Sequence, residues 1–229
     1  MWWGNVRKLL RALSPRDEFI IVTVAAFVPF LVVNLLYVVP RQWIAGLLTG
    51  GGYTDVIIVE LIVLVILAGF LHIRGWSFES IGLGPNFRET VYGLGFALLV
   101  YLVLAIPLIF ALLSSTHMWE ATENSQATEE TLDPTINILV SVINPVFEEV
   151  FECGYVITAL RKHRSTWIAV GVSVALRASL HVYQGIAGVS QILPLGLIFA
   201  YWYVRSGRLW PLIVAHVVFD FVPGMLGRL

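Results

Sequence analysis

Charge is what this chain has least of. Only 13% of its 229 residues are Asp, Glu, Lys or Arg, where a soluble domain carries roughly 25%. Mean hydropathy is +0.84. A water-solvated globular domain is excluded, and an integral membrane protein is expected. The net charge of −1 leaves no basic excess to attract nucleic acid, so no nucleic-acid partner is expected. One cysteine, Cys153, excludes an intrachain disulfide and any multi-cysteine metal site. Residues Met1 to Pro15 lack a continuous apolar run, so no cleavable signal peptide is expected. Low-complexity tracts and internal repeats are also missing. The last absence counts against an ion-coupled carrier, whose two halves would echo one another.

What the chain does have is apolar runs of spanning length. About 20 residues of helix cross a bilayer, and such runs cover roughly 19–39, 56–73, 91–113, 136–160, 166–182, 186–204 and 209–226. Pro29 and Pro107 fall inside two of them, and Gly50-Gly51-Gly52 marks a loop. The expected fold is therefore all-α: a multi-pass transmembrane helical bundle of about seven spans. Ahead of it, residues 1–15 place Trp2, Trp3, Val6, Leu9, Leu10 and Leu13 opposite Arg7, Lys8 and Arg11. That pattern suits an amphipathic helix in the headgroup plane. Residues 16–229 are expected to form one transmembrane domain with its core motifs in 136–226. Basic residues gather before span one and after spans two, four and six, so the N-terminus is expected in the cytoplasm. The acidic loop 114–134 and the C-terminus are then expected outside. Tyr201-Trp202-Tyr203 is expected to form an interfacial belt.

The exceptions to apolarity carry the information. Glu148, Glu149 and Glu152 sit inside the fourth run, Arg177 and His181 in the fifth, His216 and Asp220 in the seventh. A carboxylate at mid-bilayer costs about 2.5–3.5 kcal/mol on insertion scales, so these groups are expected to meet in one buried site. At helical spacing Glu148 and Glu152 share one face and Glu149 and Cys153 the next, while Arg177/His181 and His216/Asp220 are each one turn apart. Arg177 is expected to neutralise part of the glutamate cluster, with Glu152 its structural partner and Cys153 a small packing residue. Glu60, one to two turns into its span, is expected to serve structure, facing either the bundle interior or the interface, where a carboxylate near a helix end reaches the headgroups. His72, His117 and His163 are expected to be solvated.

Such a set can hydrolyse an amide. A carboxylate in a low-dielectric cavity takes a proton from water more readily than one in bulk solvent. A histidine can orient that water or protonate the leaving amine, and a second can donate to the tetrahedral oxyanion. Alternatively Glu148, His181 and His216 could hold a divalent metal such as zinc, since two imidazoles and a carboxylate are a common set.

The motifs Glu148-Glu149-Val150-Phe151-Glu152-Cys153, Arg177-Ala178-Ser179-Leu180-His181 and His216-Val217-Val218-Phe219-Asp220, in this order on successive spans, resemble those of the CPBP intramembrane proteases. That family includes the CAAX prenyl endopeptidases and the bacterial Abi self-immunity proteins. The resemblance covers about the last 100 residues, and Ser77 to Leu83 resembles the linker before the family's next span. It implies Glu148 as general base on water, His181 holding that water, His216 and Asp220 on the oxyanion side, and Glu149, Glu152 and Arg177 behind them. It implies a glutamate-dependent mechanism without a required metal. Two positions depart from the pattern: Cys153 stands where the family has Arg, and Arg177 where it has Phe. A cation lost from one helix is thereby returned from the next.

The resulting expectation is an intramembrane endopeptidase in a prokaryotic plasma (inner) membrane. It would cut a peptide bond in a lipidated or membrane-associated peptide, in a conical cavity between spans four to seven. The loop 114–134 is where another membrane protein would be sought as partner. The alternative is a catalytically silent relative, serving as a membrane scaffold, chaperone or partner-binding subunit.

Overall fold

The computed structural model describes residues 2–38, 53–114 and 133–226. Among these the chain is helical, with no strand. Helix α1 (Trp2–Arg11) buries none of its side chains. Ser14 accepts from the Asp17 amide at 3.1 Å and Pro15 occupies the first turn, which together start α2 (Pro15–Val38). Helix α2 runs unbroken through Pro29. Helix α3 spans Tyr53–Ile73 and α4 spans Phe87–Ser114. The loops with Gly50-Gly51-Gly52 and the acidic stretch, residues 115–132, lie outside the described residues, as does His117.

The α5 helix begins at Pro134, behind Asp133, whose side chain accepts from the Thr135 amide. It runs α-helically to Glu148, widens into a π-helical stretch over Glu149–Ile157 and closes as α-helix over Thr158–Arg161. Ser165 caps α6 (Thr166–Leu180). Helices α7 (Gly185–Ser206) and α8 (Trp210–Leu226) complete the bundle.

Two apolar clusters sit on either side of α5. Val22, Ala26 and Leu67 of α2 and α3 pack with Phe147, Phe151 and Tyr155. Phe96, Phe199, Leu212 and Ile213 of α4, α7 and α8 pack with Cys153 and Ile157. Helix α5 is thus the shared wall of both. The turn at Gly82 ties the α3–α4 linker to the start of α8, with the Leu209 amide donating to the Gly82 carbonyl at 2.9 Å. Gly82 has φ +70° and stands against the Gly207 backbone, so no other residue fits there.

The outer faces are apolar while charge is buried, the reverse of a water-soluble protein. Val65 and Ile66 are 71% and 63% exposed, whereas Glu60, Glu149, Glu152 and Arg177 are buried. Among the described residues, α2 and α3 are long and apolar enough to cross a bilayer, and α6 and α8 are apolar but shorter. One expectation needs correction. Tyr203 is not in an interfacial belt but buried, its hydroxyl donating to the carbonyls of Ile81 and Gly154 at 3.0 and 3.3 Å. Of that trio Tyr201 alone is exposed. Of the two orientations open to Glu60, it takes the inward one and accepts from the Asn144 amide of α5 at 2.7 Å.

Candidate active site

The site is built around one guanidinium. Arg177, near the end of α6, sends Nη2 to Glu149 Oε1 at 2.5 Å and Nε to Glu152 Oε2 at 2.6 Å, and its Nη1 stands 3.7 Å from Glu148 Oε2. All three carboxylates therefore converge on Arg177. Helical spacing already places Glu152 between Glu148 and Glu149 on one arc of the helix, and the π-helical stretch that begins at Glu149 keeps them on that side. Gly196 of α7 makes room for the arginine: a Cβ there would lie 3.1 Å from Arg177 Cδ. Phe199, fully buried, supplies a ring face 5.5 Å from the guanidinium.

His216 of α8 joins from the opposite wall. Its Nδ1 is 2.8 Å from Glu149 Oε1, which fixes the ring with that nitrogen as donor. Its Nε2 then faces Glu148 Oε2 at 3.9 Å and Asp220 Oδ1 at 3.7 Å, and Phe199 stands edge-on to the ring. The three carboxylates are thus unequal. Glu149 is held by Arg177 and His216, and Glu152 by Arg177. Glu148 meets its charged neighbours only beyond hydrogen-bond length, and its Oε2 is buried without a hydrogen bond among the described residues. Cys153 is a buried free thiol in the apolar cluster beside them.

His181 is placed differently. It terminates α6, and its Nδ1 meets the Arg177 carbonyl oxygen at 2.9 Å, satisfying an orphan carbonyl of the last turn. The ring is half-buried, stacks on Tyr183 and lies within electrostatic reach of Asp220. It makes no hydrogen bond to Glu148 or His216. Asp220 is the most open member, its side chain 31% exposed. His72 and His163 are exposed.

The metal alternative fits these positions poorly. Among the described residues no three His, Cys, Asp or Glu side chains form a metal-holding group. Of the set Glu148, His181 and His216, one imidazole has turned to a backbone carbonyl, the other to Glu149, and a guanidinium stands beside the carboxylate. Sequence reasoning missed Phe199, Gly196 and the Glu60–Asn144 pair. Phe199 and Gly196 give no local signal, because each acquires its role from a neighbouring helix. Asn144 could have been found, as a polar residue one turn before Glu148 in an apolar run.

No curated protein and no solved structure matches the chain. One family does, over the segment from just before α5 to within α8 that holds every residue of this site. Residues 131–222 match the type II CAAX prenyl endopeptidase Rce1-like family, which supports placing the chain with the CAAX-type intramembrane proteases that its three motifs resemble.

Proposed function

We propose that the chain is a multi-pass intramembrane endopeptidase in which Glu148 activates water against a peptide bond of a membrane-associated, lipidated peptide. The observation that carries this is the inequality of the carboxylates. Glu148 faces Nε2 of His216 across 3.9 Å and Arg177 across 3.7 Å, gaps of a size that one bridging water fills. Glu148 takes a proton from that water, and the water oxygen bonds to the carbonyl carbon. The resulting oxyanion lies toward Nε2 of His216, which donates to it only when the ring carries both protons, with Nδ1–H on Glu149 holding the ring angle. When the C–N bond breaks, the proton passes from Glu148 to the leaving amine. His181, half-buried and within electrostatic reach of Asp220, steers water or the leaving group. Arg177 pairs with Glu149 and Glu152 and offsets part of the cost of burying them. The outward-facing apolar side chains and the cluster of basic residues around residues 161–164 favour a prokaryotic inner membrane with the N-terminus in the cytoplasm.

One feature favours the silent-relative reading: Arg177 stands where the family has Phe, and its guanidinium competes for the Glu148 lone pairs. Turnover of a quenched fluorescent prenyl-peptide library separates the two. The wild type should cleave, Glu148→Gln and His216→Ala should not, and chelator should leave the wild type active. Turnover lost in chelator and restored by zinc would transfer the site to a metal mechanism. A cellular phenotype kept intact in Glu148→Gln would establish the scaffold reading instead.

A further inference from the structure

The polar side chains of α5 do not stop at the glutamates. Asn137, Ser141, Asn144 and Glu148 recur at steps of four, three and four residues, the spacing of one helix face. That face turns inward. Ser141 is 0% exposed, Asn137 4% and Glu60, across the gap on α3, 1%. Asn144 and Glu60 bond to each other. Four further polar atoms do not pair: Asn137 Nδ2, Ser141 Oγ, Glu60 Oε2 and Glu148 Oε2 are each buried without a hydrogen bond among the described residues. The Asn137 amide lies directly against Gly224 of α8, a residue with no side chain to answer it.

Helix-to-helix adhesion alone would pair these atoms with one another, since a buried polar group left bare costs about 1–3 kcal/mol. An extended peptide is too bulky for positions so deeply buried. Water is the partner whose chemistry suits them, since it donates and accepts; because these atoms show almost no surface to a water-sized probe, water reaches them only as α3 and α8 part slightly from α5. The face covers about 16 Å at 1.5 Å per residue, from the first turn of α5 to the catalytic carboxylate.

We propose that this face is a hydration track that carries water along α5, between α3 and α8, to Glu148. What the water does there rests on the hydrolytic reading; the track itself does not. It also gives Glu60 a task, as an acceptor beside the path held in place by Asn144. The track would deliver the nucleophile from the loop end of α5 without crossing lipid, leaving the apolar mouth free for a lipidated substrate.

The test uses silver ion, small enough for a water path, against single cysteines in a Cys153→Ala background. The protein is exposed to silver in lipid, denatured, and its remaining thiols are counted with a maleimide. Ser141→Cys should react about tenfold faster than Ala169→Cys, a fully buried position in the apolar core, because a thiol in apolar surroundings is inert. Equal, slow reaction at the two positions would overturn the track. Should Ser141→Cys not fold, Asn137→Cys decides in the same way. Because the readout needs no substrate, a track without turnover and turnover without a track are separate results.

Discussion

Among the described residues, the partly buried Arg74 network and the fully buried Arg177 network are built to opposite rules. Near the start of α2, Arg74 spends its whole fork: Nε on Glu18 at 2.5 Å, Nη1 on the carbonyls of Leu10 and Arg11, Nη2 on that of Leu13. Glu18 in turn receives the Trp76 indole at 2.8 Å and the Tyr155 hydroxyl at 3.4 Å. One cation meets one anion, and the surplus donors cap the end of α1. At the other network one guanidinium meets three carboxylates, with His216 and Asp220 beyond them. The first is satisfied and holds parts together. The second keeps oxygens without hydrogen bonds, at Glu148, Glu149 and Glu152, and unspent acceptors in a low-dielectric site are what proton chemistry uses. Ion pairing is common to both; they part in stoichiometry.

The sharpest way to break this contrast is to remove charge from each network in turn. Glu148→Gln should lower turnover by roughly 10²–10⁴-fold while the unfolding midpoint in detergent stays put, because no short ion pair is lost. A large loss of stability would assign Glu148 to the scaffold. Arg177→Met should do the reverse in kind. Stripping the cation from buried Glu149 and Glu152 costs about 3–5 kcal/mol, seen as a fall in denaturant midpoint and in folded yield. A stable, well-expressed Arg177→Met protein would contradict the neutralising role.

At the satisfied network the effect should be smaller and silent in chemistry. Arg74→Met breaks charge-assisted hydrogen bonds at a partly exposed site, worth about 2 kcal/mol. It should raise amide exchange across residues 2–13 as α1 loosens from the end of α3. Turnover per folded molecule should hold. A drop in turnover without a drop in stability would mean that α1 reaches the site after all.

How much of this could be read from the chain depended on distance along it. The helical elements follow the apolar runs closely: α3 ends at Ile73 and α6 starts at Thr166, where the runs do. The polar exceptions named the three helices that build the site. Three things escaped. The π-helical stretch at Glu149–Ile157 cannot be seen by counting in steps of 3.6. Tyr203 looked interfacial beside Tyr201, and only the approach of Ile81 and Gly154 turns it inward. Glu60 was legible as structural but its direction was not, because its partner, Asn144, is 84 residues away. Period and composition reveal which segments are helices, while partners drawn from other helices decide what each polar group does.

The mildest perturbation tests whether the second network needs its cation at a particular place or only needs a cation. Cys153 is buried on α5 within electrostatic reach of Glu149, Glu152 and Arg177, and it occupies the position where the resembled family carries its arginine. Combining Cys153→Arg with Arg177→Phe moves the positive charge from α6 to α5 and leaves the count unchanged. If charge balance is what matters, the double variant should recover about 1–3 kcal/mol relative to Arg177→Phe alone, the range of coupling between residues in contact. Chemical denaturation of the two single variants and the double variant measures that coupling as a cycle. Absence of recovery would mean that the α6 origin is itself required. The physical reason would be directional: only from α6 can one guanidinium hold Glu149 toward His216 and Glu152 away from Glu148, leaving the last carboxylate without a short partner.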